Sequence, residues 1–586
     1  MLSTGLVSNV PRAHRPSVSF RVRQGFQTSR VLSSDKAFFR ARDVCCNIAR
    51  LQVRCAKTAG IEQVAGQETP SWVERFSHNP ALSGNFAPVC HELTLDGISV
   101  TGTLPAHLNG LYLRNGPNPV FEPITDYHWF DGCGMVHYVR LRGKDNSAAY
   151  GCRFVRTRGF EEEQAAGKRL YVSIRDPPLP IEILRGLVSK AKNWARPDAP
   201  YWVIQQPNFA NNGLTYHAGR LLATYEAGSA YQLDVSPELA TLGVCTFGDS
   251  LGTGDFWAEN FTAHPKICPI TGEMIYIGYN LVPLDGTPCV TVGIVDAAGR
   301  VCHRTTVATS RASMQHDVAI TTTRTILLDG PLVFSLEKSM AAENPFDFDR
   351  DARSRFGVLP RRGSTEEIVW IEADPGFSFH VLNAWDDPEN PDQVVLFTYR
   401  MLETSALGMA DVFSSLEAPD SGSTTDCEEK ARLHRVVLNV PEARVLESET
   451  VCDIYSDFPC MNPNYVGRHT RYGWSAGISM PLTSIPTFDA ILKHDLSNGQ
   501  TVRRPLGAGR ACGDILFVPT PTDASEGEDD GHVLVMTHII NEDRAELLIL
   551  DAQDIMAEPA AVVHIPVRVP FGFHCEYVPG PFADWA

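Results

Sequence analysis

No two of the fifteen cysteines stand three residues apart, and their spacing follows no pattern. A zinc ribbon or a dense disulfide framework is therefore unsupported, and the thiols are expected to stay reduced, as in cytosol, stroma or matrix. No apolar run reaches the ~18 residues of a membrane span. His-Glu-x-x-His is absent, and no carboxylate pair or Ser-His-Asp set stands out, so hydrolase chemistry has no foothold. Positive charge is scarce: 51 Lys and Arg face 69 Asp and Glu, a net charge of -18. That excludes nucleic acid as a partner, because phosphate binding needs clustered Lys and Arg. A crisp internal repeat is missing too.

What is present reads as a soluble globular chain of 586 residues, 43% hydrophobic and 20% charged. Charge is uneven along it. Through Gly60 there are eleven Lys or Arg and two acids, Asp35 and Asp43. Arg-rich, Ser-bearing and acid-poor is the profile of a chloroplast or mitochondrial transit peptide, so residues 1–60 are expected to be a leader and the protein plastidial. A disordered basic tail, and a cytoplasmic or mitochondrial location, are the alternatives. Residues 61–85 read as a linker or wrapping arm, and 86–586 as one body.

Short strand-like runs dominate that body. Leu111–Arg114, Val136–Val139, Leu221–Tyr225, Met274–Ile277, Val394–Phe397, His532–Met536 and Leu547–Leu550 are aliphatic, β-branched or aromatic, with Gly, Asn, Asp or Pro nearby. Hairpin turns are expected at Asp296–Gly299, Asp329–Pro331 and Asp495–Gly499, whose glycines supply positive φ. So many short strands over this length exceed a simple sandwich and fit an all-β propeller, of blade number not readable from periodicity. Ile181 to Arg196 is the exception. Ile183, Leu184, Leu187, Val188, Ala191 and Trp194 fall at helical spacing, with Arg185, Lys190 and Lys192 largely elsewhere on the wheel. An amphipathic helix at a membrane interface and one packed on the body are both compatible with that pattern.

Four histidines sit in similar settings: His264 in Phe-Thr-Ala-His-Pro-Lys, His316 in Met-Gln-His-Asp-Val, His380 in Phe-Ser-Phe-His-Val, and His574 in Phe571-Gly572-Phe573-His574. Their intervals of 52, 64 and 194 residues forbid any local turn from uniting them. Only a closed, roughly circular fold could. Composition does not separate them from His564, whose Val-Val-His-Ile setting is equally apolar.

Their flanks do. Together with Arg114-Asn115-Gly116-Pro117-Asn118-Pro119, Phe130-Asp131-Gly132-Cys133-Gly134-Met135-Val136-His137 and Asn383-Ala384-Trp385, they make the chain resemble the carotenoid cleavage dioxygenases from about Gly84 to Val578. The resemblance implies a seven-bladed β-propeller with a helical dome, and ferrous iron held by His264, His316, His380 and His574. Four neutral imidazoles suit Fe(II) and leave coordination positions for dioxygen. It also implies that Glu226, Asp457 and Asp514 orient three of the histidines. Glu is usual at the last two positions, so each Asp reaches one methylene less and either lengthens its bond or draws the backbone in. Cys133 replaces a usual acid, Val318 a common Phe, and Asn212 a common Thr, while Phe130, Phe379, Phe571 and Phe573 are candidates to line a polyene tunnel with Asn212 and Val318.

The implied reaction is oxidative scission of a carotenoid or apocarotenoid double bond by dioxygen, giving two carbonyl fragments, at a peripheral membrane contact. Ala557–Val563, Arg355–Arg361 and Asp457 resemble the 9,10 (9',10') branch; the leader resembles plastid relatives, including the 11,12-cleaving 9-cis-epoxycarotenoid dioxygenases. A propeller scaffold without catalysis and an isomerohydrolase of retinyl-type esters are the competing classes. Iron content tests the first, and label from O2 the second.

Overall fold

Met274–Asn280 pairs antiparallel along its whole length with Cys289–Val295, and all but the first residue of the latter is buried. Both faces of this strand are covered: Val290, Val292 and Ile294 on one, and Thr291 and Val295 on the other, are all buried. The next strand, Val301–Ala308, is mostly exposed or half-exposed. The same gradient recurs: Phe377–Asp386 and Gln393–Met401 are largely buried, whereas Arg444–Thr450, carrying Arg444, Glu447 and Glu449, lies open to solvent. Charged outer strands blunt edge-to-edge pairing. In this computed structural model the described residues are 69–580, apart from 125–126, 172–207, 227, 249–259, 282–286, 336, 339–345, 403–430, 479–487, 522–526 and 541.

The protein is mostly β. Two of its sheets are four-stranded antiparallel units in chain order: Leu214–His217 with Arg220–Ala223, Tyr231–Leu233 and Thr241–Val244, then Lys266–Ile267 through Val301–Ala308. An eight-stranded sheet is two such units joined at one residue pair, Glu372 with Arg444. The nine-stranded sheet divides at Phe488 with Cys512 into one such unit and a second that carries Val100–Gly102 as a fifth strand. The remaining large sheet runs Leu93–Ile98, Ser147–Phe154, Cys133–Arg142, Asn109–Arg114. On this division the described residues contain seven four-stranded units. Cys575–Pro579 pairs with Asn109–Arg114, and Val100–Gly102 with Ala561–Ile565, so both chain ends bind first sheet to last.

Two of the three expected hairpin turns form. Asp296 Oδ1 accepts the Ala298 and Arg300 N–H groups while Gly299 takes φ +76°; Asp495 and Gly499 (φ +71°) do the same between Phe488–Asp495 and Gln500–Pro505. The third expectation is wrong. Asp329–Pro331 does not join paired strands, because Arg324–Asp329 and Leu332–Phe334 pair into different sheets. Asp329 is buried and tied to Ser313 and Arg355 instead of serving as a turn acceptor.

One short helix, Arg158–Ala166, is capped by Thr157, whose hydroxyl accepts the Phe160 N–H, and ends at Gly167 in the left-handed region. Residues 69–86 are not loose linker: Leu82 is fully buried beside Tyr127, and Asn79 Nδ2 donates to the Tyr127 carbonyl at 2.8 Å. The amphipathic segment 181–196 and the leader 1–60 lie outside the described residues. Among the described residues no helix is long and apolar enough to cross a membrane.

The sequence Gly473-Trp-Ser-Ala-Gly477 has the form of a nucleophile elbow, but it lies inside the strand Tyr472–Ile478. Ser475 is fully buried, bonded to His494 Nε2 at 2.9 Å, and His494 Nδ1 meets Thr501 Oγ1 at 2.9 Å. It is a core hydrogen-bond chain. Burial holds the His494 pKa down to about 3, below its unfolded value, so its stabilising contribution is full above the ordinary histidine range and declines as pH falls through it. His494→Asn, which can keep one of the two bonds, is expected to be about 1–2 kcal/mol less stable near neutrality. In acid unfolding curves that gap should narrow by up to about 1.4 kcal/mol per pH unit below the unfolded value, since only the wild type resists protonation.

Candidate metal centre

The four histidines lie on or beside strands at the edges of their sheets. His264 stands two residues before Lys266–Ile267, His316 two before Val318–Ile320, His380 inside Phe377–Asp386, and His574 directly before the closing strand Cys575–Pro579. Successive sheets thus cancel the long sequence intervals. The four ligand-capable nitrogens all fall within 4.8 Å of one another. Ring centroids are 4.1 Å apart for His264 and His574, 4.6 Å for His264 and His316, and 5.1 Å for His380 and His574. His264 Nε2 and His316 Nε2 are 3.0 Å apart, which is the separation of two adjacent ligands each about 2.1 Å from one ion.

Carboxylates stand behind three of the rings. His316 Nδ1 is 3.1 Å from Glu226 Oε1, His380 Nδ1 2.7 Å from Asp457 Oδ1, and His574 Nδ1 3.3 Å from Asp514 Oδ2. With Nδ1–H donated outward, Nε2 keeps its lone pair for the centre. Glu226 also accepts from the Tyr279 hydroxyl at 2.7 Å. The shorter Asp side chains meet their histidines in two ways. At Asp457 the backbone comes in: the strand is irregular between Asp457 and Cys460, and Phe458 sits at φ +53°. At Asp514 the bond is long instead, and the same oxygen accepts the Cys575 N–H at 2.8 Å.

The donor set fits a divalent metal. Burial, then the neighbouring imidazoles, push His264 and His380 well below the usual histidine range, so both are neutral ligands. Burial lowers His316 as well, but the charge and hydrogen bond of Glu226 outweigh it and move that residue upward. His380 Nε2 is buried without a hydrogen-bond partner. An orphaned lone pair facing three other imidazoles is costly unless something binds it. Burial pushes Asp457 up to about 7, and the Phe458 N–H pulls the other way.

The remaining nominated residues fall in three places. Phe379 lies edge-on to the ligand His316 with centroids 5.2 Å apart. Phe130, Phe573 and Phe571 belong to an aromatic run completed by Trp129 and Phe86: Phe130–Phe573 5.3 Å, Trp129–Phe573 4.7 Å, Phe86–Phe571 4.6 Å. Val318 is fully buried in the hydrophobic core, and Asn212 accepts the His574 N–H through its backbone carbonyl. Cys133 is buried, its thiol pushed up to about 12 by desolvation. His564 is far from the quartet chemically: its ring meets Thr101 and Glu546.

Two contributors had no role at the centre assigned from the sequence. Phe458 packs 5.3 Å from His380 and 5.5 Å from His574, in a left-handed conformation a bulky residue rarely adopts. The other is the Arg114-Asn115-Gly116 run. Buried Arg114 donates to the Pro570 carbonyl and meets His538, while Asn115 exchanges backbone bonds with Phe573 and His574. This clamp delivers His574. A Cβ on Gly116 would stand 2.6 Å from Gly572 Cα, so Gly116→Ala must shift the His574 segment. The variant is expected to fold and to lose iron affinity at least several-fold, measured by chelator titration against the wild type.

Residues 86–579 match the family model described as retinal pigment epithelial membrane protein. A carotenoid 9,10(9',10')-cleavage dioxygenase 1 of Phaseolus vulgaris is 33% identical, over 85% of this chain and 89% of that protein. A 9-cis-epoxycarotenoid dioxygenase NCED6, chloroplastic, of Arabidopsis thaliana is 31% identical, over 85% and 81%. Among solved structures, cobalt-substituted Synechocystis ACO superposes with a TM-score of 0.69 at 26% identity, covering 84% of this chain and 97% of that one.

Proposed function

The chain belongs to the carotenoid cleavage dioxygenase family, an enzyme family with a four-histidine iron site, and from that premise we propose that it cleaves a carotenoid or apocarotenoid at the 9,10 (9',10') double bond. The observation that carries the reading is the convergence of His264, His316, His380 and His574 on one point. Similarity to the Phaseolus enzyme, and the runs Ala557–Val563 and Arg355–Arg361, support the bond assignment. Bound there, ferrous iron supplies the dioxygen activation that places one oxygen atom on each carbon of the broken double bond.

The chain's own residues do the positioning. The four Nε2 atoms hold the metal, and Glu226, Asp457 and Asp514 fix the tautomer and orientation of three rings. Phe379 and Phe458 wall the centre with apolar surface, and Phe130, Asn212, Phe571 and Phe573, with Trp129, are assigned to the approach for the polyene, whereas Val318, fully buried in the core, does not line it. A dry, apolar channel selects which carbon pair reaches the metal and keeps water from side reactions. No protein nucleophile or general base is required. The seven four-stranded units are read as the blades of a propeller, and the helical dome stays an expectation of the resemblance. Segment 181–196 is assigned to a peripheral bilayer contact, from which an insoluble substrate is drawn, and residues 1–60 to plastid targeting.

The second reading is 11,12 cleavage of a 9-cis-epoxycarotenoid, favoured by the leader and by similarity to the Arabidopsis relative named chloroplastic. Products from β-carotene and from 9-cis-neoxanthin decide between them. Fragments cut at 9,10 (9',10') with label from O2 support the proposal; an 11,12 product from neoxanthin alone supports the alternative, and unlabelled products contradict both.

A further inference from the structure

Asp317 follows the ligand His316 and is buried, yet it touches no ring of the quartet in any hydrogen bond described above. Its carboxylate is fully subscribed. Oδ1 accepts from the Val318 N–H at 2.7 Å and lies 2.7 Å from Lys266 Nζ in an ion pair. Oδ2 accepts from Lys266 Nζ at 3.0 Å and from the Val381 N–H at 2.8 Å. Three hydrogen bonds and the ion pair thus engage both oxygens, as an ionised carboxylate allows. The donors are not random. Lys266 is two residues after His264, Val381 is one after His380, and Asp317 itself is one after His316. The backbone adds an isolated parallel bridge between His264 and Asp317.

We propose that Asp317, paired with Lys266, is a positioning residue that staples the three four-stranded units carrying His264, His316 and His380 and so sets the spacing of the iron ligands. The inference rests on the four-histidine iron centre and goes beyond the three carboxylates that face the rings. The physics is that of a buried carboxylate paired with a partly buried ammonium, both carboxylate oxygens being hydrogen-bonded. Such a pair adds little net stability over an apolar substitute, but it fixes geometry, and removing one partner strands the other. Here the geometry it fixes is the distance between three metal-bearing strands. An asparagine could not replace the aspartate: with one oxygen it cannot serve donors placed at both, and its amide hydrogens would face the Val381 N–H or the Lys266 ammonium.

The test compares Asp317→Asn, Lys266→Met and Lys266→Arg with the wild-type full chain. Iron release to an excess of ferrous chelator and the melting temperature with and without iron are measured in each. Asp317→Asn is expected to release iron about 10- to 100-fold faster, the range found when a ligand's support is lost. Lys266→Met should show a smaller acceleration and Lys266→Arg little. The melting temperature of Asp317→Asn should fall further below wild type in the iron-loaded form than in the iron-free form. A merely structural carboxylate would lower both forms equally and leave iron release unchanged, and that result overturns the staple. If Asp317→Asn does not fold, Lys266→Met carries the comparison, with unchanged iron release again the contradicting outcome. A wild-type chain that takes no iron contradicts the metal centre itself. The Val381 amide then judges the staple alone: slow hydrogen exchange in wild type that quickens in Lys266→Met supports it, and equal exchange contradicts it.

Discussion

His380→Ala is expected to yield a folded protein without measurable cleavage activity and with iron below a tenth of the wild-type content. His380 is the ligand whose Nε2 is buried without another partner, so its loss is not made good by a neighbouring group. The strand that carries it should persist, because Phe377–Asp386 is held by the register to Gln393–Met401 and by the Thr398 hydroxyl on the His380 carbonyl at 2.9 Å. Truncation leaves a gap beside Phe458 and Phe379, worth a few kcal/mol at most in a body with several independent cores. Losing only the group behind a ligand costs about 10- to 100-fold in metal affinity or activity; losing the ligand should cost more than about 100-fold. Circular dichroism, bound iron and product yield on one preparation check all three parts.

Asp457→Asn is the second large effect. The asparagine oxygen can still accept from His380 Nδ1 and from the Phe458 N–H, so the ring stays oriented. What goes is the negative charge that Asp457, pushed up to about 7 by burial, carries on the alkaline side of that value, so the comparison is made there. A neutral acceptor makes His380 a weaker donor to the metal, and iron affinity and turnover should drop about 10- to 100-fold while the fold is kept. Asp457→Leu removes orientation too and should fall below Asp457→Asn. Equal activity in the two variants would mean that the charge, not the geometry, is all that Asp457 supplies.

Much of the centre was readable in the residues, though only through the company they keep. His264, His316, His380 and His574 carry flanks that set them apart from His564, and the structure brings those four within reach of one another while His564 pairs with Thr101 and Glu546. Turns were legible where one side chain decides the matter, as at Asp296 and Asp495. Asp329-Gly330-Pro331 looked the same and is not a hairpin, because its aspartate is consumed by a long-range pair with Arg355 that no local pattern reveals. The four-stranded units left no repeat, since any aliphatic or aromatic residue can fill a strand buried on both faces. Phe458 was illegible for the opposite reason: local preference argues against a left-handed phenylalanine, and the surrounding packing overrides it. Asp317 passed as part of a motif around His316, its donors lying as far as 51 positions before it, at Lys266, and 64 after it, at Val381.

X-ray absorption at the iron edge of the isolated protein, with metal content from the same sample, tests the central claim most directly. Four imidazole nitrogens at about 2.0–2.2 Å around about one iron per chain is the expected result. A folded protein without iron, or iron held by a carboxylate in place of any of the four rings, would contradict it.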